Sequence, residues 1–349
     1  MSTKIYFICP TNNFATGGVK QIYRQVETLN ANGIEAYVLL KKTTKTEKKW
    51  FTTNVPAKYS PFIFKQLKFQ NKNKKITFLK RLLLFFLKNI SEKIDKDSIL
   101  VFPEIYGPEI QKIEPEISKV IFNQNCYYTF GYFSIEKDYK ISPYNHPKTL
   151  ATIVASDDAK KYLSYAFPNI KIFQMRLGID EKTFSFSDAK ERIISFMPRK
   201  LSDDVSQVIN ILKQRKNLKD WKLVPIDNKN EKEVAEILQK SAIFLSFNHK
   251  EGFGLPPAEA MSCGCYVIGY SGQGGKEYLK SNFSSPVEDG NIIEFVERIE
   301  KSVQTFEKNS SDILLKGRMA SEFIRKEYNM RNEERDILNI WKNITMGLR

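Results

Sequence analysis

Short apolar runs alternate with amphipathic segments along almost the whole chain of 349 residues. The apolar runs are rich in β-branched and aromatic side chains, which is typical of strands buried on both faces of a parallel sheet. In the first half we predict strands at 4–9, 35–40, 98–103, 119–123, 152–155 and 170–175, and helices at 19–32 and 157–166. In the second half we predict strands at 192–197, 221–225, 242–247 and 266–270, and helices at 204–215, 231–240 and 292–303, with a turn-rich loop at 283–291. The pattern predicts an α/β fold with two parallel sheets, each binding ligands at the carboxyl ends of its strands.

The stretch that follows the strand predicted at 242–247 is unusual in its composition. It runs Glu251-Gly-Phe-Gly-Leu-Pro-Pro-Ala-Glu259, with seven residues between the two glutamates. Its two prolines fit the first turn of a helix, where a missing N–H group costs nothing. Its two glycines let a ligand approach the backbone, and the N–H groups of a helix start favour an anion or sugar oxygens. The stretch therefore predicts a strand, a ligand-binding loop and a helix.

This stretch resembles the donor-binding signature of retaining glycosyltransferases of family 4, which belong to the glycosyl transferases group 1. The resemblance implies the GT-B architecture, in which two Rossmann-like domains with parallel sheets face a central cleft. It also implies a nucleotide-sugar donor, with neither a metal nor a cofactor. Glu251 and the loop amides would hold the donor sugar. The donor-binding residues that the resemblance implies are Gly252, Phe253, Gly254, Leu255, Glu259, Gly17 and Gly18. The alternative is an ordinary strand–loop–helix corner with a solvated glutamate.

Two cations follow the first strand predicted in the second half, in the sequence Phe196-Met-Pro-Arg199-Lys200. The family has an arginine at this place, and a lysine several residues later, to hold the pyrophosphate. Here Lys200 is adjacent to Arg199 and no lysine follows in Leu-Ser-Asp-Asp-Val. We predict Glu251, Arg199 and Lys200 as the catalytic set, against the alternative of a solvated basic turn. A second glycine-rich turn, at 272–277, is equally consistent with a structural role and with ligand contact.

The acceptor side departs from the family pattern. Many members carry a histidine in the first domain, whereas the corresponding loop here, 123–130, contains none. Asn125, Tyr127 and Tyr128 are the candidate acceptor-binding residues, because an amide can hydrogen-bond a sugar and a tyrosine can stack on it. The alternative is that these tyrosines pack in the core. An inverting reaction would need a carboxylate base, for which Asp157 and Asp158 are candidates.

Positive charge is concentrated in residues 41–96. This segment holds 16 Lys and Arg against three Asp and Glu, a balance of +13, while the whole chain carries +15. Residues 76–94 within it predict an amphipathic helix, with Lys80, Arg81 and Lys88 beside an apolar stripe. The segment fits docking on an anionic membrane surface, and it equally fits a solvated insertion whose apolar face joins the first domain's core. Charge alone would also suit nucleic acid.

The predicted organisation has three parts. Residues 1–178 form an acceptor domain with the basic insertion 41–96, residues 179–331 form the nucleotide-sugar domain, and residues 332–349 form a helix that crosses back to the first domain. The chain opens on a strand without a leader pattern, and its four cysteines and two histidines lack the spacing of a zinc site. These features predict a cytoplasmic enzyme, peripheral on the inner face of the cell membrane if the basic segment binds lipid.

The function expected from these observations is transfer of a sugar from a nucleotide-sugar to a cell-surface glycan or glycolipid precursor, with retention. Three alternatives stay open. The first is an inverting transferase on the same fold, and the second is a protein that binds a nucleotide or sugar without catalysis. The third is nucleic-acid binding, which we expect least because the two-glutamate stretch has no role in it.

Overall fold

The computed structural model describes residues 3–10, 16–42, 54–71 and 77–347. The chain divides into two compact units. Unit 1 comprises Met1–Met175 with Glu334–Arg349, and unit 2 comprises Arg176–Glu333. The first crossing, which we predicted near residue 178, thus falls between residues 175 and 176.

Unit 1 is built on a parallel sheet. Its described strands are β1 (Ile5–Ile8), β2 (Ala36–Leu40), β3 (Ala57–Tyr59), β4 (Ile99–Pro103), β5 (Ser118–Asn123), β6 (Thr149–Val154) and β7 (Ile172–Gln174). Their spatial order is β3-β2-β1-β4-β5-β6-β7. After β1 the chain adds β2 and β3 on one side of it, and then β4 to β7 on the other side. The carboxyl ends of β1 and β4 therefore flank the position at which α/β sheets bind ligands.

The described residues of the first part of the chain form four α-helices. They are α1 (Gly17–Ala31), α2 (Pro61–Asn71), α3 (Phe78–Asn89) and α4 (Asp157–Ala166), of which α3 packs on α2. α1 packs through a buried stripe that includes Ile22, Val26 and Leu29, which recur at helical spacing. α4 begins where the Ser156 hydroxyl accepts the N–H of Ala159, at 3.2 Å.

The described part of the basic segment belongs to unit 1 itself. β3 pairs in parallel with β2 at the edge of the sheet, and α2 buries Ile63 and Leu67 in the hydrophobic core. Neither element was predicted, because lysines interrupt the short strand and the helix. The described part of the segment therefore contributes an edge strand and a core-packed helix to unit 1. Residues 43–53 and 72–76 of the segment lie outside the described residues.

Unit 2 has its own parallel sheet. Its described strands are β8 (Glu191–Phe196), β9 (Lys222–Pro225), β10 (Ser241–Asn248), β11 (Tyr266–Ser271) and β12 (Ser285–Val287), in the order β12-β11-β10-β8-β9. β12 corrects the prediction of a loop at 283–291, because its three residues pair with β11 at the sheet edge. A strand this short has no periodic pattern to detect.

The helices of unit 2 are α5 (Ser202–Arg215), α6 (Glu231–Lys240), α7 (Leu255–Ser262), α8 (Ile292–Lys308) and α9 (Ser310–Glu327). The central strand β10 is buried along its entire length. Phe247 and Tyr270, from neighbouring strands, pack with Phe295 of α8 at ring distances of 4.9 and 5.1 Å. This core fixes the carboxyl ends of β10 and β11, from which the candidate site is built.

The last helix, α10 (Met330–Met346), carries the chain back into unit 1. Trp341 is fully buried there, with its ring edge-on to Phe7 of β1 at 5.6 Å. The indole N–H of Trp341 donates to the side-chain oxygen of Gln25 on α1, at 3.0 Å. A buried tryptophan with a satisfied N–H is a strong anchor. The C-terminal segment is therefore an integral part of unit 1.

Candidate functional site

The loop between β10 and α7 has the form that its sequence predicts. Gly254 has a φ of +87°, and α7 begins at the next residue, Leu255, with proline in its first turn. A left-handed residue suits glycine, and proline loses nothing at a helix start. Glu259 is the fifth residue of the helix and lies in its second turn.

The glycine-rich turn after β11 packs directly on this loop. A Cβ atom on Gly274 would lie 2.0 Å from the carbonyl oxygen of Gly252, and the N–H of Gly274 donates to the carbonyl of Glu251 at 3.3 Å. A Cβ on Gly272 would lie 3.0 Å from the carbonyl oxygen of Asn248. The close approach of the two backbones leaves no room for a side chain at residue 274. The turn therefore has a structural role in shaping the loop.

An aromatic cluster packs against the loop. Phe253 is buried, with its ring 5.0 Å from that of Tyr278 and 5.1 Å from that of Tyr328. The Tyr278 hydroxyl donates to the Gly254 carbonyl at 2.5 Å. The side chain of Phe253 therefore packs in the core and does not face a ligand. Our prediction of Phe253 as a donor-binding residue can apply only to its backbone.

Lys200 and Glu251 are brought together, although they follow different strands. β8 and β10 are neighbours in the sheet, so the segments after their carboxyl ends meet. The Lys200 ammonium forms an ion pair with the Glu251 carboxylate. Partial desolvation of the Lys200 ammonium, whose side chain is 52% exposed, and the neighbouring Arg199 guanidinium lower its pKa to about 8, while the contact with Glu251 opposes this shift. Arg199 itself is exposed beside the pair.

This arrangement can bind an anion or a polyol. The cations Arg199 and Lys200 lie on one segment, Glu251 lies on the next, and the first backbone N–H groups of α7 follow at once. A helix start and two cations favour phosphate, and a carboxylate accepts hydrogen bonds from sugar hydroxyls. Glu259 is half-buried on α7 and belongs to the same helix start.

The predicted glycine pair in unit 1 opens α1. Gly17 and Gly18 are its first two residues, and residues 11–15 of the preceding loop lie outside the described residues. The side-chain amide of Gln124 donates to the carbonyl of Gly18 at 3.1 Å. This contact links the glycine pair to the predicted acceptor loop, which begins at the end of β5.

Glu104 is a functional candidate that our sequence analysis missed. It follows β4 directly and is 4% exposed. Its two carboxylate oxygens accept the backbone N–H groups of Gln124 and Asn125, at 3.0 and 3.1 Å. Burial raises the pKa of Glu104 to about 7, although these hydrogen bonds oppose the rise. A carboxylate at the carboxyl end of the strand predicted at 98–103 was the available signal.

The acceptor loop presents its tyrosines to solvent. Tyr127 is 41% exposed and Tyr128 is 53% exposed, which excludes the alternative that they pack in the core. The Asn125 side-chain oxygen accepts the N–H of Tyr127 at 3.0 Å, so it caps the short helical turn that carries both tyrosines. The structure therefore gives Asn125 a positioning role and leaves two exposed aromatic rings.

The other polar candidates of unit 1 have separate surroundings. His146 lies in a loop, where its Nδ1 accepts the N–H of Lys148 at 3.2 Å. Asp157 pairs with Lys161 one turn along α4 at 2.6 Å. Asp158 approaches the acceptor loop, with its carboxylate 4.0 Å from the Cys126 sulfur. Among the described residues, no group of three His, Cys, Asp or Glu side chains is placed to hold a metal ion.

Comparison with known proteins finds a family that is similar to part of the second half. Residues 184–319 match the family described as Glycosyl transferases group 1. This region of unit 2 is therefore similar to that family. The matched range includes both predicted glutamates, the two cations and the glycine-rich turn.

A curated protein similar to part of this chain is an alpha-1,6-glucosyltransferase of Actinobacillus pleuropneumoniae. It is 26% identical over 124 residues, which is 35% of this chain and 37% of the relative. The matched part thus spans little more than a third of that protein's length.

Solved structures resemble the whole chain. A TarM variant of S. aureus, in complex with Fondaparinux, alpha-GlcNAc-glycerol and UDP, has a TM-score of 0.66 at 14% identity and covers 98% of this chain and 99% of its own. HepE of Anabaena, in complex with UDP and glucose, has a TM-score of 0.66 at 11% identity and covers 98% of this chain and 100% of its own. These similarities establish the GT-B fold, as the sequence predicted.

Proposed function

We propose that the protein is a glycosyltransferase that moves a sugar from a nucleotide-diphosphate sugar to an acceptor hydroxyl. The observation that carries the proposal is the Lys200–Glu251 ion pair at the start of α7, within the region that matches the glycosyl transferases group 1 family. The pair puts a phosphate-binding cation beside a sugar-binding carboxylate. UDP in the complexes of TarM and HepE supports a uridine donor.

In the proposed reaction, the acceptor oxygen bonds to the anomeric carbon of the donor sugar. The bond from that carbon to the phosphate oxygen breaks, and the nucleoside diphosphate leaves with the electron pair. The proton of the acceptor hydroxyl passes to the departing phosphate. This step needs positive charge where the phosphate develops its negative charge. Arg199, Lys200 and the backbone N–H groups of residues 252–255 supply it in our proposal.

Donor binding would exchange the partner of Lys200. The ammonium turns from Glu251 to the donor phosphates, and the Glu251 carboxylate then accepts hydrogen bonds from the sugar hydroxyls. Glu259, one turn into α7, binds the ribose. Lys200 and Glu251 therefore each have a polar partner both before and after donor binding, so neither charge is left uncompensated at this partly buried site.

The acceptor is proposed to be a glycan or glycolipid precursor. Tyr127 and Tyr128 offer exposed rings on which a sugar can stack, and Glu104 holds the loop that carries them. The alpha-1,6-glucosyltransferase and the TarM complex with alpha-GlcNAc-glycerol support a carbohydrate acceptor.

Retention of the anomeric configuration is our proposal from the resemblance to family 4. Inversion is the competing reaction and would need a carboxylate base. Asp158 is the better candidate because it lies beside the acceptor loop, whereas Asp157 pairs with Lys161. The anomeric configuration of the new glycosidic bond, determined by NMR and compared with that of the donor sugar, distinguishes the two reactions. If the wild-type product is inverted and Asp158→Asn loses transfer, Asp158 is established as the base.

A thermal-shift screen tests the proposed function. Nucleosides, nucleoside diphosphates and nucleotide sugars are each added to the full chain. A ligand at 100 times its Kd should stabilise the folded state by about 2.7 kcal/mol. We expect a diphosphate and its sugar conjugate to raise the melting temperature more than the nucleoside does. If no nucleotide sugar shifts the melting temperature, the proposal is wrong. Binding without sugar transfer would leave a non-catalytic binding protein.

A further inference from the structure

Helix α3 of unit 1 exposes an unusual amount of apolar surface. None of its residues is buried. The large apolar side chains exposed on α3 and its C-terminal cap are Phe78, Leu79, Leu82, Leu83, Phe85, Phe86 and Ile90, with exposed fractions from 39% for Leu83 to 79% for Phe78. An exposed cluster of this size marks an interaction site on a folded protein.

These side chains lie on one side of the helix. At about 100° per residue they span an arc of about 160° around the helix axis. The remaining apolar residues, Leu84 and Leu87, are half-buried and lie on the side of Lys80, whose ammonium is 5.5 Å from the Phe69 ring of α2. α3 is therefore held on α2 by one face and presents the apolar arc on the other.

The rim of the arc is cationic. By the same geometry Arg81 and Lys88 lie next to each other at its edge, beside Phe85. Lys88 has its ammonium 5.7 Å from the Phe62 ring of α2, which keeps it beside the helix pair. Neither α2 nor α3 contains an acidic residue. The surface thus combines an apolar centre with a cationic rim.

We propose that α3 docks on an anionic lipid surface, lying in the plane of the membrane with its apolar arc among the acyl chains. Arg81 and Lys88 then reach the lipid phosphates. α3 has twelve residues, and no helix among the described residues is long and apolar enough to cross a bilayer. A helix on the surface is the form that fits this length.

The charge and the apolar surface of α3 favour an anionic lipid surface over two other binding partners. Nucleic acid would pair with the cations but would leave the seven large apolar side chains exposed to water. A second copy of the chain, paired symmetrically through α3, would cover the apolar arc but would bring Arg81 and Lys88 close to their own copies. An anionic lipid surface matches both the arc and its rim. The inference does not depend on the proposed sugar transfer.

Vesicle co-sedimentation of the full chain tests the proposal. The vesicles are neutral phosphatidylcholine, or phosphatidylcholine mixed with phosphatidylglycerol. The apolar variant changes Leu79, Phe85 and Phe86 to Gln, and the charge variant changes Arg81 and Lys88 to Glu. The control changes Ile293 and Leu315 to Gln, two exposed apolar residues of unit 2. All the changed side chains are exposed, so the variants should melt like the wild type.

We expect the wild type and the control to bind mixed vesicles equally, and the apolar variant to bind at least tenfold more weakly. The charge variant should lose the preference for anionic over neutral vesicles. All four proteins should give the same thermal shift with uridine diphosphate, which separates this test from that of the donor site. Wild-type protein that stays in the supernatant overturns the proposal, and so does an apolar variant that binds normally. A dimer in lipid-free buffer that the apolar variant dissociates would assign the arc to a second copy instead.

Discussion

Lys200 forms an ion pair with Glu251, although the two residues follow different strands, β8 and β10. The pair joins the segment proposed for the donor phosphates to the loop proposed for the donor sugar. Its position at the carboxyl ends of two neighbouring parallel strands is where α/β sheets bind ligands. The chemistry that we propose depends on this pair, and the predictions below begin with it.

Donor binding should weaken at alkaline pH because Lys200 loses its proton. Its pKa is about 8. Below that pH the ammonium is present before and after binding, and affinity is constant. Above it, binding to phosphate must recapture a proton, so affinity should fall by up to about tenfold per pH unit. Lys200→Arg keeps its charge throughout this range. Isothermal titration with uridine diphosphate at pH 7 to 9.5 should therefore show a decline for the wild type and a flat profile for Lys200→Arg.

Arg199→Ala should weaken binding of diphosphates more than binding of the nucleoside. A charge-assisted hydrogen bond is worth roughly 1.5–3 kcal/mol, or about a tenfold to hundredfold change in Kd. Titration of uridine and uridine diphosphate into both proteins measures the difference. The exposed Arg298 of α8 offers a control, as Arg298→Ala. An equal effect of Arg199→Ala on nucleoside and diphosphate would make Arg199 a surface residue only.

In the glycine-rich turn after β11, alanine should be destabilising at residue 274 and tolerated at residue 275. Gly274→Ala places a methyl group on the Gly252 carbonyl, so the donor loop must move; overpacking of this kind typically costs 1–3 kcal/mol. Gly275→Ala is the matched control, because its Cβ would meet the Tyr278 hydroxyl at an ordinary 3.4 Å. We expect a lower melting temperature and weaker uridine diphosphate binding for Gly274→Ala alone. Identical behaviour of the two variants would contradict the packing that we describe.

Glu104 should make the stability of unit 1 depend on pH. Burial raises its pKa from 4.5 to about 7, so the folded state holds a proton that the unfolded chain releases. Stability should fall as the pH rises from about 4.5 to 7, by on the order of 3 kcal/mol, and should change little beyond. Calorimetry across this range should show a smaller slope for Glu104→Gln than for the wild type. Glu116→Gln, at an exposed position, should keep the wild-type slope. Equal slopes for all three proteins would show that Glu104 is ionised throughout.

Periodic patterns predicted the regular parts of the fold. Buried parallel strands such as β10 appear as continuous apolar runs, and the helix Glu231–Lys240 has the predicted bounds because Asn230 and Glu233 form a capping box at its start. The strands that we missed, β3 and β12, have three residues each at sheet edges. Such strands depend on their neighbour for pairing, and their own sequence contains no period.

The donor loop could be proposed from sequence because its constraints are local. Glycine with a positive φ at Gly254 and proline at a helix start are properties of adjacent residues. The Lys200–Glu251 pair and the contact of Glu104 with Asn125 join segments that are distant in the chain, so they depend on strand order. The burial of Phe253 also follows from tertiary packing, on Tyr278 and Tyr328, and no local pattern indicates it.

The most direct test of the central claim is donor turnover in Glu251→Gln. The substitution keeps the shape of the side chain and removes the charge that we assign to orienting the donor sugar. Glu236→Gln, at an exposed position on α6 of the same unit, is the control. Initial rates of uridine diphosphate release from a nucleotide sugar are measured for both variants and the wild type, with the melting temperature as a check of folding. We predict that Glu251→Gln remains folded and loses on the order of 10²-fold in kcat, while Glu236→Gln matches the wild type. A folded Glu251→Gln protein with wild-type turnover would contradict the assignment of this loop as the donor site.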